Sequence, residues 1–303
     1  MYIYDGNQRA QELEKGVQRE VKALFEKGVN LTIAAILFTE DSGSRLYTRL
    51  KGEAAARSGI SYRVYEFSLI DSVETVQAKI NQLNGDDSIT GIIIQKPWRK
   101  TWQKLQGSTA SAKEYATWWT SLVSALSVQK DVDGLHPESL AAIKHGNWQD
   151  QGRVLPATAQ AVLTILDDFS QQNQKPLSSY NISIIGKSDL LGTPLYFELK
   201  RRGVMCELLG RTELQEKIEA GAGLTQSDII VSATGVSGLI TEKLLGEGTA
   251  LIDVGEPQPD VDLESVISSG KVSFITPVPG GVGPLTIVSL LQNAVFLVKH
   301  KEL

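Results

Sequence analysis

A tyrosine and a lysine four residues apart, Tyr47 and Lys51, stand in a stretch that reads as a helix over about 42–58. At that spacing both side chains project from one face. A lysine so placed can transfer protons if burial or a nearby cation lowers its pKa. Gln95 closes the run Gly91-Ile92-Ile93-Ile94, and ligands of open α/β sheets gather at such carboxyl ends. Asp133 stands in Lys130-Asp131-Val132-Asp133-Gly134, a turn-like acidic run. Taken singly, each has a plainer reading: a packed aromatic, a solvated cation, a strand cap, a turn or loose cation site.

A second constellation is Ile184-Ile185-Gly186-Lys187-Ser188-Asp189-Leu190-Leu191-Gly192-Thr193-Pro194, where a strand hands over to a helix. Glycines there let the backbone approach a pyrophosphate, and the helix N-terminus offers free N–H groups and a positive dipole end. The spacing differs from G-x-G-x-x-G, so a plain βα turn stays open. The end of the next strand, Leu209-Gly210-Arg211-Thr212, lacks the acidic residue that an NAD site places there for the ribose hydroxyl. With Lys187 in the loop before it and Arg211 after it, the pattern favours a 2′-phosphate, hence NADP over NAD. Two solvated cations at loop ends are the other reading.

The elements that must position these residues alternate along the chain. Leu13, Val17, Val21 and Leu24 mark a helix over 7–28, and 31–38 is an apolar run suited to a buried parallel strand. Strand, helix and strand follow at 61–67, 72–83 and 89–95, which argues for a parallel sheet in a βαβ sandwich. Residues 98–129 hold four of the five tryptophans, Trp98, Trp102, Trp118 and Trp119, and read as an inserted helical excursion. A helix begins after Pro156. From Tyr180 to Thr276 strand-helix-strand repeats, the mark of a Rossmann-like domain, and a last helix runs from Leu285 to Lys301.

The 303 residues favour two domains, and 42% hydrophobic with 21% charged residues is a globular balance. A net charge of -5 argues against broad attraction to nucleic acid or anionic lipid. One cysteine, Cys206, and three scattered histidines, His136, His145 and His300, suggest neither a disulfide framework nor a metal cage. No signal peptide is visible, and the most apolar late segment, 287–298, contains Gln292 and Asn293 and reads as too short to span a bilayer. Cytoplasm is the expectation.

The run Ile275-Thr276-Pro277-Val278-Pro279-Gly280-Gly281-Val282-Gly283-Pro284-Leu285-Thr286 resembles the long C-terminal signature of the FolD family, with Leu285 where the family usually has methionine. In the same order along the chain, Tyr4-Asp5-Gly6 is similar to that family's opening and Tyr47-x-x-x-Lys51 to its catalytic helix. Gln95-x-Pro97 resembles its strand end, 130–134 its substrate-anchoring loop, Gly186-x-Ser188 through Gly192-x-Pro194 its nucleotide loop, and Ile252-Asp253-Val254-Gly255 a strand end beside it.

The resemblance implies an α/β fold: an N-terminal three-layer folate/catalytic domain over 1–150, a Rossmann-like NADP-binding domain over 151–278, and 279–303 returning to the first domain. It implies oxidation of 5,10-methylenetetrahydrofolate with NADP and hydrolysis of the methenyl product to 10-formyltetrahydrofolate. Lys51 would position or deprotonate water and assist proton transfer at N10. Gln95 would hold Lys51, Tyr47 would stack on the substrate, and Asp133 would accept from the pterin. Pro279, Gly280 and Gly281 would wall the folate site. Gly186, Lys187, Ser188, Gly192, Pro194, Arg211 and Thr158 would bind the dinucleotide. A homodimer, a small-molecule folate substrate and no metal complete the expectation.

Departures are specific. Gln95-Lys96-Pro97-Trp98-Arg99 replaces Gln-Leu-Pro-Leu-Pro, Pro156-Ala157-Thr158-Ala159 replaces Pro-Cys-Thr-Pro, and Glu256-Pro257 stands where Ile-Asn is usual. Glu53 replaces a second basic residue. If its carboxylate lay close, it would raise the pKa of Lys51 and weaken the cyclohydrolase step; a solvated Glu53 would not. A monofunctional NAD(P)-dependent dehydrogenase and a catalytically silent folate- or nucleotide-binding protein are the competing readings.

Overall fold

The structure, a computed structural model, describes residues 1–107, 110–255 and 258–301. In chain order the elements are β1 (Tyr2–Ile3), α1 (Gly6–Glu26), β2 (Thr32–Phe38), α2 (Ser42–Arg57), β3 (Ser61–Phe67), α3 (Val73–Asn84), β4 (Gly91–Ile94), α4 (Arg99–Gln106), α5 (Ala112–Val123) and α6 (Pro137–His145). Then come α7 (Ala157–Gln172), β5 (Asn181–Ile185), α8 (Gly192–Arg201), β6 (Met205–Leu209), α9 (Arg211–Glu219), β7 (Ile229–Ser232), β8 (Thr249–Asp253), α10 (Leu263–Ser269), β9 (Val272–Ile275) and α11 (Val282–Lys301).

The chain divides into two compact units. One gathers Leu13–Ala142, Asn147–Leu155 and Leu290–Leu303. Its sheet is parallel, in the order β3-β2-β4. Every residue of β2 is buried, because a central strand is covered on both faces and both edges and so must be apolar throughout. The partly exposed β3 lies at the sheet's edge. The open side of β4 meets a parallel bridge from Ile92 to Asp131. The tail from Leu290 clusters with this unit, as expected of the last helix.

The 98–129 segment forms α4 and α5; Ser108 and Thr109 lie outside the described residues. Ser111 and Glu114 close a capping box at the start of α5. Trp102, Tyr115, Trp118 and Trp119 are buried, and Trp118 packs against Phe38 of β2 with ring centroids 5.2 Å apart. The tryptophans thus anchor packing, while Trp98 stays 41% exposed.

The other unit comprises Met1–Glu12, Ile143–Gly146 and Pro156–Ser289. Its six strands run in the order β1-β9-β8-β7-β5-β6, all parallel. The chain leaves β5 for β6 and returns to the other side of β5 as β7, so strand order reverses there, the place where open α/β sheets bind ligands. A core of Ile185, Leu209, Leu214, Ile230, Leu251 and Val266 fills one side of this sheet.

These units differ from the expected spans 1–150, 151–278 and 279–303. Residues 1–12 join the second sheet because β1 pairs with β9, Tyr2 beside Phe274 and Ile3 beside Ile275. A two-residue strand has no periodicity to read. The Tyr4 hydroxyl donates to Asp168 of α7 at 2.6 Å, and Arg9 grips the same carboxylate at 2.9 and 3.0 Å.

A second correction concerns α11. At 20 residues it is long and apolar enough to cross a membrane, contrary to the reading of 287–298 as too short; 61% of its most apolar window is buried within the protein. Asn293, the polar interruption, is buried and donates to the carbonyls of Val132 and Leu155 at 3.0 and 2.9 Å. That is the role of a core helix, not of a lipid-facing one.

Candidate active site

Helix α2 begins at Asp41, whose carboxylate accepts from the Ser44 N–H at 2.9 Å and its hydroxyl at 2.6 Å. The same carboxylate accepts from the Trp98 N–H at 3.3 Å and the Thr101 hydroxyl at 3.0 Å. One acid therefore sets the start of α2 and ties it to the chain leaving β4. Further along α2, Lys51 is buried, 5% exposed. Its ammonium donates to Gln95 Oε1 at 2.8 Å, and the Gln95 N–H donates to the Ile36 carbonyl at 2.9 Å, continuing the sheet past β4.

Burial pushes the Lys51 pKa down, opposed by the charge of Asp133. An amide partner holds the amine without adding a second carboxylate. Asp133 and Tyr47 are half-buried in the same unit. Asp133 is the charge that Lys51 feels, and it also raises the pKa of the Tyr62 phenol, already driven up by burial. Amine, amide and carboxylate thus come together from α2, the end of β4 and the 130–134 loop. Glu53 does not join them: it pairs with Arg49 at 2.8 Å on the exposed face of α2. The solvated reading of Glu53 holds, and the argument for a weakened cyclohydrolase step loses its basis.

The neighbours of Asp133 explain why its loop is held. Lys130, 7% exposed, donates to the carbonyls of Leu83, Asn84 and Asp86 at 3.0, 2.8 and 2.8 Å. This ammonium satisfies acceptors left at the end of α3. Asp131, 1% exposed, accepts from the N–H groups of Leu135 and His136 and the Ser139 hydroxyl. Gly91 is needed because a Cβ there would lie 2.3 Å from Val132 Cγ1.

In the second unit, Gly186 takes φ +114° and any Cβ would meet the Ala233 carbonyl oxygen at 2.4 Å. A Cβ on Gly192 would lie 1.7 Å from the Gly186 carbonyl oxygen. The 186–192 loop therefore closes tightly at the reversal between β5 and β7. Lys187 and Ser188 are exposed on it, and Pro194 is buried in the first turn of α8. Arg211 is exposed at the start of α9, and Thr158 is half-buried in the first turn of α7.

The strand end beyond β6 departs from expectation. Glu213, in the first turn of α9, accepts from the Gly210 N–H at 2.9 Å and forms an ion pair with Lys187. The two cations and the strand end without a terminal acid are as expected, but Lys187 is paired and Glu213 of α9 folds back onto the strand end beside an exposed Arg211. The acid is absent from the strand's last residue, and the first turn of α9 returns one from three residues beyond Gly210.

A buried acidic network at the ends of β7 and β8 was also missed. Asp260, 0% exposed, accepts from the Ser232 hydroxyl and from the N–H and hydroxyl of Thr234 at 2.8, 2.6 and 2.9 Å. Asp253 accepts from the N–H groups of Gly255, Asp260 and Val261, and burial raises its pKa against those bonds. The polar run after β7, Thr234-Gly235, was the available signal. Glu256 and Pro257 lie outside the described residues.

Pro279, Gly280 and Gly281 belong to this second unit. Gly281 donates to the Pro277 carbonyl at 2.8 Å, and a Cβ on Gly6 would lie 1.9 Å from the Gly281 carbonyl oxygen. The Tyr4-Asp5-Gly6 opening and the proline-glycine run are two sides of one contact. Cys206 is half-buried in β6, its thiol pushed up to about 11 by burial. Among the described residues no group of three or more His, Cys, Asp or Glu is placed to hold a metal.

Comparison with known proteins gives consistent matches. Residues 4–115 match the family model of the tetrahydrofolate dehydrogenase/cyclohydrolase catalytic domain, and residues 156–302 that of the corresponding NAD(P)-binding domain. The bifunctional protein FolD of Lactobacillus gasseri is 31% identical over 99% of this chain and 98% of its own length. That of Staphylococcus aureus is 31% identical over 99% and 97%. Among solved structures, the bifunctional FolD enzyme of Campylobacter jejuni superposes with a TM-score of 0.83 at 28% identity, covering 99% of both chains. The Trypanosoma brucei dehydrogenase-cyclohydrolase, complexed with NADP and an inhibitor, gives 0.82 at 25% identity, covering 99% of this chain and 98% of that one.

Proposed function

The chain belongs to the tetrahydrofolate dehydrogenase/cyclohydrolase family, and from that premise we propose which residues oxidise 5,10-methylenetetrahydrofolate with NADP and hydrolyse the methenyl product. The observation that carries the proposal is the buried Lys51 ammonium held 2.8 Å from Gln95 Oε1, within the field of Asp133.

NADP, when bound, supplies the hydride acceptor. The turn at 186–192 fits its pyrophosphate, since it lies where the strand order reverses and leads into the N-terminus of α8, and Gly186 and Gly192 let it close tightly there. Lys187, Ser188, Pro194, Arg211 and Thr158 complete the dinucleotide site. Loss of hydride from the methylene carbon leaves a cation shared by N5 and N10 of the folate, and water adds to that carbon. Lys51, its pKa lowered by burial, takes a proton from the water and delivers one to N5 as the bond from N5 to that carbon breaks, leaving the formyl group on N10. Gln95 keeps the amine aimed without neutralising it. Tyr47 stacks on the folate, Asp133 accepts from the pterin amino group and N3–H, and Pro279, Gly280 and Gly281 contribute to the folate wall. The reading carries with it a homodimer in the cytoplasm; a net charge of -5 supports small-molecule rather than nucleic-acid or membrane partners.

The test is an absorbance assay with methylenetetrahydrofolate, run with NADP and then NAD, following both cofactor reduction and methenyl loss. Reduction without methenyl loss would favour the monofunctional dehydrogenase. No turnover in the parent protein, with ligand binding unchanged in Lys51→Met, would favour a silent binding protein.

A further inference from the structure

We propose that Glu213 sets the coenzyme preference of this chain, by holding Lys187 away from a 2′-phosphate and by offering a carboxylate to the ribose hydroxyl of NAD. The inference rests on the dinucleotide site assigned above and concerns a residue outside that assignment. Its ground is the geometry at the end of β6. Glu213 reaches back one helical turn to accept from the Gly210 N–H at 2.9 Å while its other oxygen pairs with the Lys187 ammonium. The pair lies directly over the strand end: a Cβ on Gly210 would meet Glu213 Oε2 at 2.8 Å and Lys187 Cε at 3.3 Å. That strand end, next to the pyrophosphate turn, is where a dinucleotide fold distinguishes a free ribose hydroxyl from a phosphorylated one, with an acid for the first and a cation for the second. This chain places both, bonded to each other.

The consequences follow from charge. A 2′-phosphate must draw Lys187 from Glu213 and then lie beside a carboxylate. A ribose diol needs neither, because a carboxylate accepts hydroxyl protons while still paired. The two partners are only half-covered, side chains 46% and 44% accessible, so exchange is easy and the bias moderate. Arg211, exposed at the start of α9, remains to meet the phosphate. Glu213 therefore narrows the NADP preference that Lys187 and Arg211 create, and the chain accepts NAD more readily than two free cations would allow.

The experiment uses adenosine 2′,5′-bisphosphate and 5′-AMP as probes, titrated calorimetrically into the whole protein, parent and variants. Glu213→Gln keeps size and the bond from Gly210 but removes the charge. The expected result is a ratio of 5′-AMP to bisphosphate dissociation constants that rises by about three- to tenfold, the range of an exposed ion pair with one added repulsion. Lys187→Met should lower the same ratio by weakening the bisphosphate alone. If both nucleotides bind the parent and Glu213→Gln leaves the ratio within twofold, the proposal is overturned. If neither nucleotide binds the parent, the dinucleotide site itself is wrong, a failure the titration separates from the first. NADP and NAD turnover should shift in the same sense, through KM more than kcat.

Discussion

Lys51 is pulled two ways: burial lowers its pKa and the charge of Asp133 raises it. In the proposed mechanism the first favours the free amine and the second the return of a proton. If the amine accepts the proton from water, methenyl hydrolysis rises with pH through the Lys51 pKa. Replacing Asp133 by Asn removes the raising charge, so the rising limb of kcat at saturating substrate should move to lower pH. A limb that stays put or moves upward would sink the assignment. Lys51→Met should cut hydrolysis by about 100-fold or more, the lower range for a lost acid–base group. The folded Lys51 binds its proton less tightly than the unfolded one, so folding is disfavoured by this group wherever the unfolded lysine is charged, up to its ordinary pKa. The Met variant should accordingly melt no lower than the parent at neutral pH, which separates lost chemistry from lost fold.

At the scale of elements, Asp133 stands on a loop held from three sides. Lys130 fastens it to the end of α3, Asn293 of α11 takes the Val132 carbonyl, and Gly91 of β4 leaves room for the Val132 side chain. Gly91→Ala should destabilise by about 1–3 kcal/mol through overpacking and raise KM for the folate. Adding Val132→Ala should restore much of both, read by urea midpoint and steady-state kinetics. Lys130→Met leaves three carbonyls without their donor, and a loss of about 2–4 kcal/mol is expected from their desolvation. A midpoint unchanged from the parent would show that water replaces the ammonium. The positions of α2, β2 and β4 were legible from apolar period and run length. The dependence of 130–134 on Leu83, Asn293 and Gly91 was not, since those partners lie 41 to 161 residues away in the chain.

At the scale of the whole molecule, the first residues belong with the last strand. Tyr2 and Ile3 extend the second sheet, and Asp168 locks Tyr4 and Arg9 beside it. Asp168→Ala strands a buried hydroxyl and a guanidinium at once, and a loss of about 2–4 kcal/mol is expected in chemical denaturation. A variant as stable as its parent would mean that the N-terminal strand holds through β9 alone. The α/β class, the Rossmann-like second half and the family could be read from the residues in order, as could the candidates Lys51, Gln95 and Asp133. Each rests on local period or on ordered short motifs, which need no knowledge of distant partners. Tertiary structure alone decided that residues 1–12 join the nucleotide unit, that Glu53 turns outward to Arg49, and that Asn293 serves the core. It alone decided that Glu213 folds back to neutralise Lys187. These are matters of which side chains meet across long stretches of chain, and composition and spacing carry no record of such meetings until the backbone closes on itself.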